Sequence, residues 1–275
     1  MLDFIKVVIL GIVEGITEWL PVSSTGHLIL LGDLLAPSMS DSFMEMFNVV
    51  IQLGAIMAVV VIYFHKLNPF SKKKTERQKL LTWQMWIKVA IASVPAAVIG
   101  LLFNDIIDTL FYKPFPVAVM LIVYGVLFII VENRNANRRP SVTKISQLSI
   151  SMLVWIGVFQ MLALIPGTSR SGATIVGALL IGVSREVAAE FTFFLAIPVM
   201  FGASLLKLIK FGFAFTLSEF GYLMLGCVVS FAVSILAIKF LMSYIKKNDF
   251  KLFGYYRIVL GGIIVIVTLF KMIFA

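Results

Sequence analysis

Long apolar runs separated by short charged segments are the feature that most constrains the fold of this chain. Six runs approach the roughly 20 residues that a helix needs to cross a bilayer. We expect these spans at 47–64, 86–103, 115–131, 191–209, 222–243 and 258–274. Only 13% of the residues are charged, whereas soluble domains carry about 25%. Because the runs are continuous and do not alternate, they favour helices over a β-barrel. The sequence therefore predicts an all-α integral membrane protein.

Two further apolar stretches are each interrupted by a polar break. The first begins at Leu2, breaks at Pro21 and resumes as a short arm that ends near residue 35. The second begins near residue 148 and breaks at Pro166-Gly-Thr-Ser-Arg-Ser-Gly172. Each short arm has about half the length that a crossing requires. We therefore expect two re-entrant helix hairpins, at 2–36 and 148–183.

The two halves of the chain repeat the order of one hairpin followed by three spans. They align without gaps over the breaks at an offset of 146, which pairs Gly11 with Gly157 and Ser23 with Ser169. This correspondence indicates internal duplication. We expect one membrane domain, 1–275, with a first repeat at 1–132 and a second at 147–275.

Basic residues collect in three loops, at 65–79, 133–144 and 246–251. Lys and Arg gather on the cytoplasmic side of membrane proteins, which accounts for the net charge of +9 without a nucleic-acid partner. All three loops can be cytoplasmic only if the second hairpin makes no net crossing. Each half then crosses three times, and the halves have opposite orientations. The sequence thus predicts two inverted-topology repeats, with broken helices that meet near the midplane.

Glu14 and Glu18 are four residues apart, so they share one face of a helix. Two carboxylates in hydrocarbon are costly unless a partner compensates them. Mg²⁺ suits the pair, because it binds one or two carboxylates together with phosphate oxygens. The alternative is that both side chains reach the outer interface and are solvated there.

The segment Pro21-Val-Ser-Ser-Thr-Gly-His27 is typical of a loop that enters a helix. Ser23 or Ser24 can cap that helix, and its N-terminus would attract an anion. Ser24 and His27 lie three apart, within reach of an activated-hydroxyl arrangement. Ordinary helix capping is the alternative for the serines.

The second break carries Arg170, whose planar guanidinium suits phosphate oxygens. Thr174 lies four residues further, on the same helical face. The alternative for Arg170 is that it reaches the membrane interface. Together the breaks supply an acid pair, a hydroxyl, an imidazole and an arginine at membrane depth. This set favours metal-assisted phosphoryl chemistry on a lipid with a phosphate head group.

At these motifs the sequence resembles the bacterial undecaprenyl-diphosphate phosphatases of the bacitracin-resistance type. The matching segments are Glu-x-x-x-Glu at 14–18, Ser-Ser-Thr-Gly-His at 23–27 and Pro-Gly-x-Ser-Arg-Ser-x-x-Thr at 166–174. The resemblance implies hydrolysis of undecaprenyl diphosphate to the monophosphate carrier lipid with a divalent cation, Mg²⁺ or Ca²⁺. It also implies a role in peptidoglycan precursor recycling and bacitracin resistance, and an outward-facing site in the bacterial plasma membrane.

Our site hypothesis gives each of these residues a role. Ser24 is the nucleophile or an alignment group, and His27 is the general acid/base. Glu14 and Glu18 are the metal ligands and base, and Arg170 is the phosphate clamp. The remaining diphosphate cradle comprises Ser23, Thr25, Gly167, Ser169, Ser171 and Thr174.

Several alternatives stay open at this stage. A metal-bound water could attack directly in place of a serine hydroxyl. A polyprenyl-phosphate transporter or flippase would share the inverted-repeat architecture, and a binding or scaffold protein is a third reading. We expect lipid diphosphate and membrane lipids as partners, no nucleic acid, and a possible homodimer.

Overall fold

The computed structural model describes residues 2–35, 37–212 and 215–274. Within them the regular structure is helical, and the one bridge pairs Val142 with Val183 in isolation. Three residues named in the expected boundaries lie outside the described residues: Met1, Ala36 and Ala275. The expectation of an all-α protein is confirmed.

The helices are numbered in chain order. They are α1 (Leu2–Thr17), α2 (Ser24–Leu35), α3 (Asp41–Val50), α4 (Gln52–Ile62), α5 (Phe64–Leu67), α6 (Glu76–Phe111), α7 (Pro114–Asn135), α8 (Ile150–Leu162), α9 (Arg170–Leu180), α10 (Arg185–Phe211), α11 (Leu217–Tyr244) and α12 (Lys251–Phe274), with a 3₁₀ turn at Ile145–Gln147.

Six helical segments of the described chain are long and apolar enough to cross a membrane. They are Asp41–Ile62, Glu76–Phe103, Pro114–Asn135, Arg185–Phe211, Leu217–Tyr244 and Lys251–Ile273. Each overlaps one of the expected spans over most of its length, so the chain is a multi-pass membrane protein. Side chains on the outer surface agree with this, since Leu101, Phe270 and Met272 are more than half exposed and would face lipid.

The spanning helices extend beyond the apolar runs that predicted them. The first begins at Asp41, because the Ser40 hydroxyl accepts a hydrogen bond from the Phe43 backbone N–H. α6 continues through Pro95 over 36 residues, although the expected span covered only 86–103. Hydropathy marks the part of a helix that lies in hydrocarbon, whereas capping and backbone bonding set where the helix ends.

The helices at the two breaks are shorter than a full crossing. α1 and α2 have 16 and 12 residues, and α8 and α9 have 13 and 11. α1 packs against α11, and α8 packs against α6. Glycines permit these close approaches: a Cβ on Gly15 would lie 2.8 Å from the Ser230 carbonyl oxygen, and one on Gly157 would lie 2.6 Å from that of Ala92.

Candidate active site

The loops at the two breaks share an unusual backbone conformation. Ser23 and Ser169 have φ angles of 74° and 69°, and they are the described non-glycine residues with positive φ. Positive φ is uncommon for residues with a Cβ. Each serine hydroxyl accepts a hydrogen bond from the backbone N–H of a glycine three residues on, Gly26 at 3.3 Å and Gly172 at 3.2 Å. Strain of this kind persists where the surrounding structure enforces it, often at functional sites.

Glu18 joins the two loops through its carboxylate. One oxygen, Oε2, accepts a hydrogen bond from the Ser24 hydroxyl at 2.9 Å. The other oxygen, Oε1, accepts from Nη2 of Arg170 at 3.0 Å and from Nε at 3.3 Å. The hydroxyl and the guanidinium therefore lie on opposite oxygens of one acid, although Arg170 is 152 residues away in the chain.

The acidic pair and the arginine are buried. Glu14 is 0% exposed and Glu18 is 6% exposed, while the Arg170 side chain is 11% exposed. The alternative interpretation, in which these groups reach a solvated interface, does not describe this structure. The ion pair between Glu18 and Arg170 is therefore at low dielectric, where electrostatic forces are stronger than in water.

Helix α10 and the loop that follows α1 also contact Arg170. Nη1 donates to the Thr192 carbonyl oxygen at 2.9 Å, and the guanidinium carbon lies 5.8 Å from the Trp19 ring centroid. Thr174 is fully buried; its hydroxyl donates to the Arg170 carbonyl and contacts the Thr192 hydroxyl at 2.8 Å. Thr192 was missed in the sequence, because one threonine in an apolar helix is an ordinary occurrence.

His27 is bonded differently from the sequence-based hypothesis. Its Nδ1 lies 2.7 Å from the Ser23 carbonyl oxygen, which can only accept, so Nδ1 carries a proton. Its Nε2 lies 2.6 Å from the Tyr256 hydroxyl, and the two rings stack with centroids 5.6 Å apart. The expected Ser24–His27 arrangement is corrected here, because the Ser24 hydroxyl donates to Glu18. Spacing placed both residues on one face, but the imidazole turns back to the loop carbonyl.

The other expected cradle residues have different surroundings. The Ser171 hydroxyl donates to the Glu18 backbone carbonyl at 3.1 Å and contacts the Ser169 hydroxyl at 3.2 Å, so both belong to the Glu18 network. Thr25 is half-buried beside Ser24. Gly167 packs closely against α7: its φ is +91°, and a Cβ there would lie 2.4 Å from the Val117 carbonyl oxygen.

Arg257 on α12 is a site neighbour that sequence reasoning missed. It is fully buried, and its guanidinium donates to backbone carbonyls of both loops. The residue lies between the basic loop at 246–251 and the expected last span at 258–274, and it was assigned to neither. The available signal was one arginine six positions inside an apolar helix.

A divalent cation fits the donor set in part. Both carboxylate oxygens of Glu14 are buried without a hydrogen-bond partner among the described residues, and a buried polar group of this kind is costly when it is left alone. The described residues contain no cluster of three or more acidic, histidine or cysteine side chains suited to a metal. Mg²⁺ needs only one or two carboxylates and completes its shell with phosphate oxygens and water, and Glu14 and Glu18 are the two carboxylates of this site.

Comparisons with known proteins agree along nearly the whole chain. The family model described as Bacitracin resistance protein BacA matches residues 7–263. An undecaprenyl-diphosphatase of Acetivibrio thermocellus is 63% identical over 97% of this chain and 98% of its own. Proteins of the same name from Lactococcus lactis subsp. cremoris and Enterococcus faecalis are each 59% identical, over 98% and 97% of this chain and 99% and 98% of their own.

Proposed function

This chain belongs to the BacA family of bacitracin resistance proteins, and we propose that it is an undecaprenyl-diphosphatase. It hydrolyses undecaprenyl diphosphate to undecaprenyl phosphate and inorganic phosphate in the membrane. The reaction recycles the carrier lipid for peptidoglycan synthesis and confers resistance to bacitracin. The relatives' names favour hydrolysis over the alternative of lipid transport.

The observation that carries the chemistry is the buried contact of Glu18 with both Ser24 and Arg170. A carboxylate within hydrogen-bond reach of a hydroxyl can accept its proton. A guanidinium fork binds phosphate oxygens with directional hydrogen bonds. Ser24 thus supplies an activated nucleophile and Arg170 supplies a positive clamp, and both are bonded to the same carboxylate.

The hydroxyl oxygen of Ser24 attacks the terminal phosphorus while Glu18 accepts its proton. The bond from that phosphorus to the bridging oxygen breaks, and undecaprenyl phosphate leaves. Water then hydrolyses the seryl phosphate and releases inorganic phosphate. His27 is the general acid/base. Its Nε2 is the nitrogen that can take up and return a proton, because Nδ1 already donates its own proton to the Ser23 carbonyl. Direct attack by water would use the same acid and clamp.

A divalent cation, Mg²⁺ or Ca²⁺, would neutralise charge on the diphosphate when it is bound. Glu14 and Glu18 are its proposed ligands. The lack of hydrogen-bond partners for the Glu14 oxygens within the described chain supports this assignment. Ser169, Ser171, Ser23, Thr25, Thr174 and Gly167 complete the proposed cradle directly or through the loop backbone.

The proposed architecture is a pair of inverted repeats, 1–132 and 147–275, each with a re-entrant hairpin. The packing supports it: α1 of the first half lies on α11, while its counterpart α8 lies on α6 of the first half. The matching positive φ angles of Ser23 and Ser169 support the same pairing. We propose that the protein lies in the bacterial plasma membrane with its N-terminus outside, because the three basic loops would then all be cytoplasmic. The family resemblance supports a site that opens to the extracytoplasmic side.

Phosphate release by purified protein in detergent tests the function. With Mg²⁺ or Ca²⁺ and farnesyl diphosphate or a longer substrate, we expect release by the wild type and by Ser204→Ala. Ser204 is a buried hydroxyl that donates to the Val49 carbonyl, away from the site. Arg170→Ala and Glu18→Ala should lose most activity.

Two results would contradict the proposal in different ways. Absence of release by folded wild-type protein with either cation would reject the enzymatic function. Full activity in Arg170→Ala or Glu18→Ala would leave the function standing but reject the site.

A further inference from the structure

Arg257 is a charged side chain buried in the middle of the protein. Its relative exposure is 0%, although burial of an arginine at membrane depth is costly. None of the carboxylates in the described part of the chain lies within ion-pair distance of it. Interactions other than an ion pair must therefore offset the cost of burying this charge.

Backbone carbonyl groups surround the guanidinium. Nη2 donates to Gly167 and Thr168 at 2.8 Å each, and Nη1 donates to Pro21 at 3.2 Å. Nε donates to Leu121 of α7 at 3.4 Å. The guanidinium carbon also lies 5.6 Å from the centroid of the Tyr124 ring, within the range of a cation–π contact.

These contacts join the two breaks at corresponding points. Pro21 and Gly167 are separated by the repeat offset of 146, so one guanidinium binds the same position of both loops. A loop carbonyl that lacks a partner in a buried setting is costly. Arg257 supplies partners to both loops at once and holds them against α7.

The loops that Arg257 joins carry the reacting groups. Pro21 lies between Glu18 and Ser24 in the sequence, and Thr168 lies two residues before Arg170. We propose that Arg257 is a positioning residue, which sets the distance between the Ser24 and Arg170 loops by bonding to both. This inference rests on the proposed phosphatase function.

The chemistry of the side chain explains why arginine is required. Arg257 binds the two loops through separate nitrogens of one rigid plane. Lysine carries one nitrogen at the end of a flexible stem. Arg257→Lys should therefore keep the positive charge but hold the two loops less well together.

The test combines kinetics with amide hydrogen exchange on the full-length protein. Arg257→Ala and Arg257→Lys are compared with the wild type for kcat and KM. In Arg257→Ala we expect kcat to fall by about 100-fold, the usual effect of misplacing reacting groups by about 1 Å. Arg257→Lys should lie between Arg257→Ala and the wild type.

Exchange provides a readout that does not depend on catalysis. Peptides that cover 20–28 and 166–174 should both exchange faster in the Arg257 variants, whereas those from α10 should not change. Lys88→Ala is the matched control, because the Lys88 ammonium also donates to three backbone carbonyls, those of Ile145, Ser146 and Leu148. It should loosen 143–149 and leave kcat and both break loops unchanged.

The outcomes separate the two proposals. An active wild type together with near-normal kcat in folded Arg257→Ala would overturn the role of Arg257 and leave the phosphatase function intact. A wild type that releases no phosphate would reject the function, while exchange would still decide whether Arg257 joins the loops. Faster exchange in only one loop would also overturn the proposal. If Arg257→Ala does not fold, the same comparisons in Arg257→Lys decide.

Discussion

The carboxylate of Glu18 shows how one residue can organise a buried polar site. It accepts from Ser24 on one oxygen and from Arg170 on the other. Removing one partner of a buried ion pair typically costs about 3–5 kcal/mol, because the remaining charge is left uncompensated. Substitution of Arg170 should therefore disturb Glu18 as well as remove the clamp.

At the residue scale, Ser24→Ala and Glu18→Gln should show strong non-additivity. We expect either substitution to lower kcat by about 100-fold or more, the usual contribution of a positioned acid or base. The double variant should be about as slow as the slower single variant, because groups that act as a unit are lost together. Steady-state phosphate release measures the three variants.

Ser204→Ala provides the matched hydroxyl control for this cycle. Ser204 lies twelve residues beyond Thr192 on α10, or about 18 Å along the helix. Any small change in kcat that Ser204→Ala causes should therefore multiply independently with the change caused by Glu18→Gln. Fully multiplicative losses for Ser24→Ala with Glu18→Gln would contradict the pairing, as would seryl phosphate that is trapped equally well in Glu18→Gln.

At the element scale, the two loops repeat the positive φ of one serine but carry different chemistry. The residue after the positive-φ serine is Ser24 in the first loop and Arg170 in the second. Glu14 and Glu18 correspond at the repeat offset to Gln160 and Leu164. Both carboxylates therefore occur in the first half only, which makes the two hairpins complementary rather than equivalent.

The helix that bears those carboxylates depends on a close approach to α11. A Cβ on Gly15 would lie 2.8 Å from both the Ser230 carbonyl oxygen and the Val233 Cβ. Gly15→Leu should displace α1 and its acids, with a loss of stability of about 1–3 kcal/mol, the usual effect of overpacking. Both Tm in detergent and kcat should fall.

Gly262→Leu is the control for that substitution. A Cβ at Gly262 meets open space within 4 Å, although it too lies in an apolar helix. Its Tm and kcat should match those of the wild type. Equal losses in the two variants would show that leucine harms the protein for a reason unrelated to the α1–α11 contact.

At the scale of the whole molecule, inverted repeats require equivalent loops to face opposite sides of the membrane. Lys113 lies between α6 and α7, and Lys247 lies in the equivalent position between α11 and α12. In a Cys227→Ser background, Lys113→Cys should react with an impermeant maleimide in intact cells. Lys247→Cys should react only after permeabilisation.

The background is suitable because Cys227 is the one cysteine of the chain. Arg138→Cys, in the basic loop after α7, serves as the cytoplasmic control and should behave like Lys247→Cys. Labelling of Lys113→Cys and Lys247→Cys from the same side would reject the inverted topology, whatever the activity of the protein.

The sequence by itself determined the all-helical membrane class and the region of each spanning helix. Both are local properties, since a bilayer admits only apolar segments that satisfy their own backbone hydrogen bonds. It also identified the two polar breaks and the residue types that belong to phosphoryl chemistry. The ends of the helices differed from the ends of the expected spans, because capping rather than hydropathy sets where a helix ends.

Only the tertiary structure decided which polar groups meet. Ser24 bonds to Glu18 and His27 bonds to Tyr256, 229 residues away, whereas spacing alone had suggested that Ser24 and His27 pair. Arg257 reaches Pro21 across 236 residues, and no periodic pattern encodes that contact. The partners of a buried polar side chain depend on where distant helices cross, and that is settled by packing of the whole molecule.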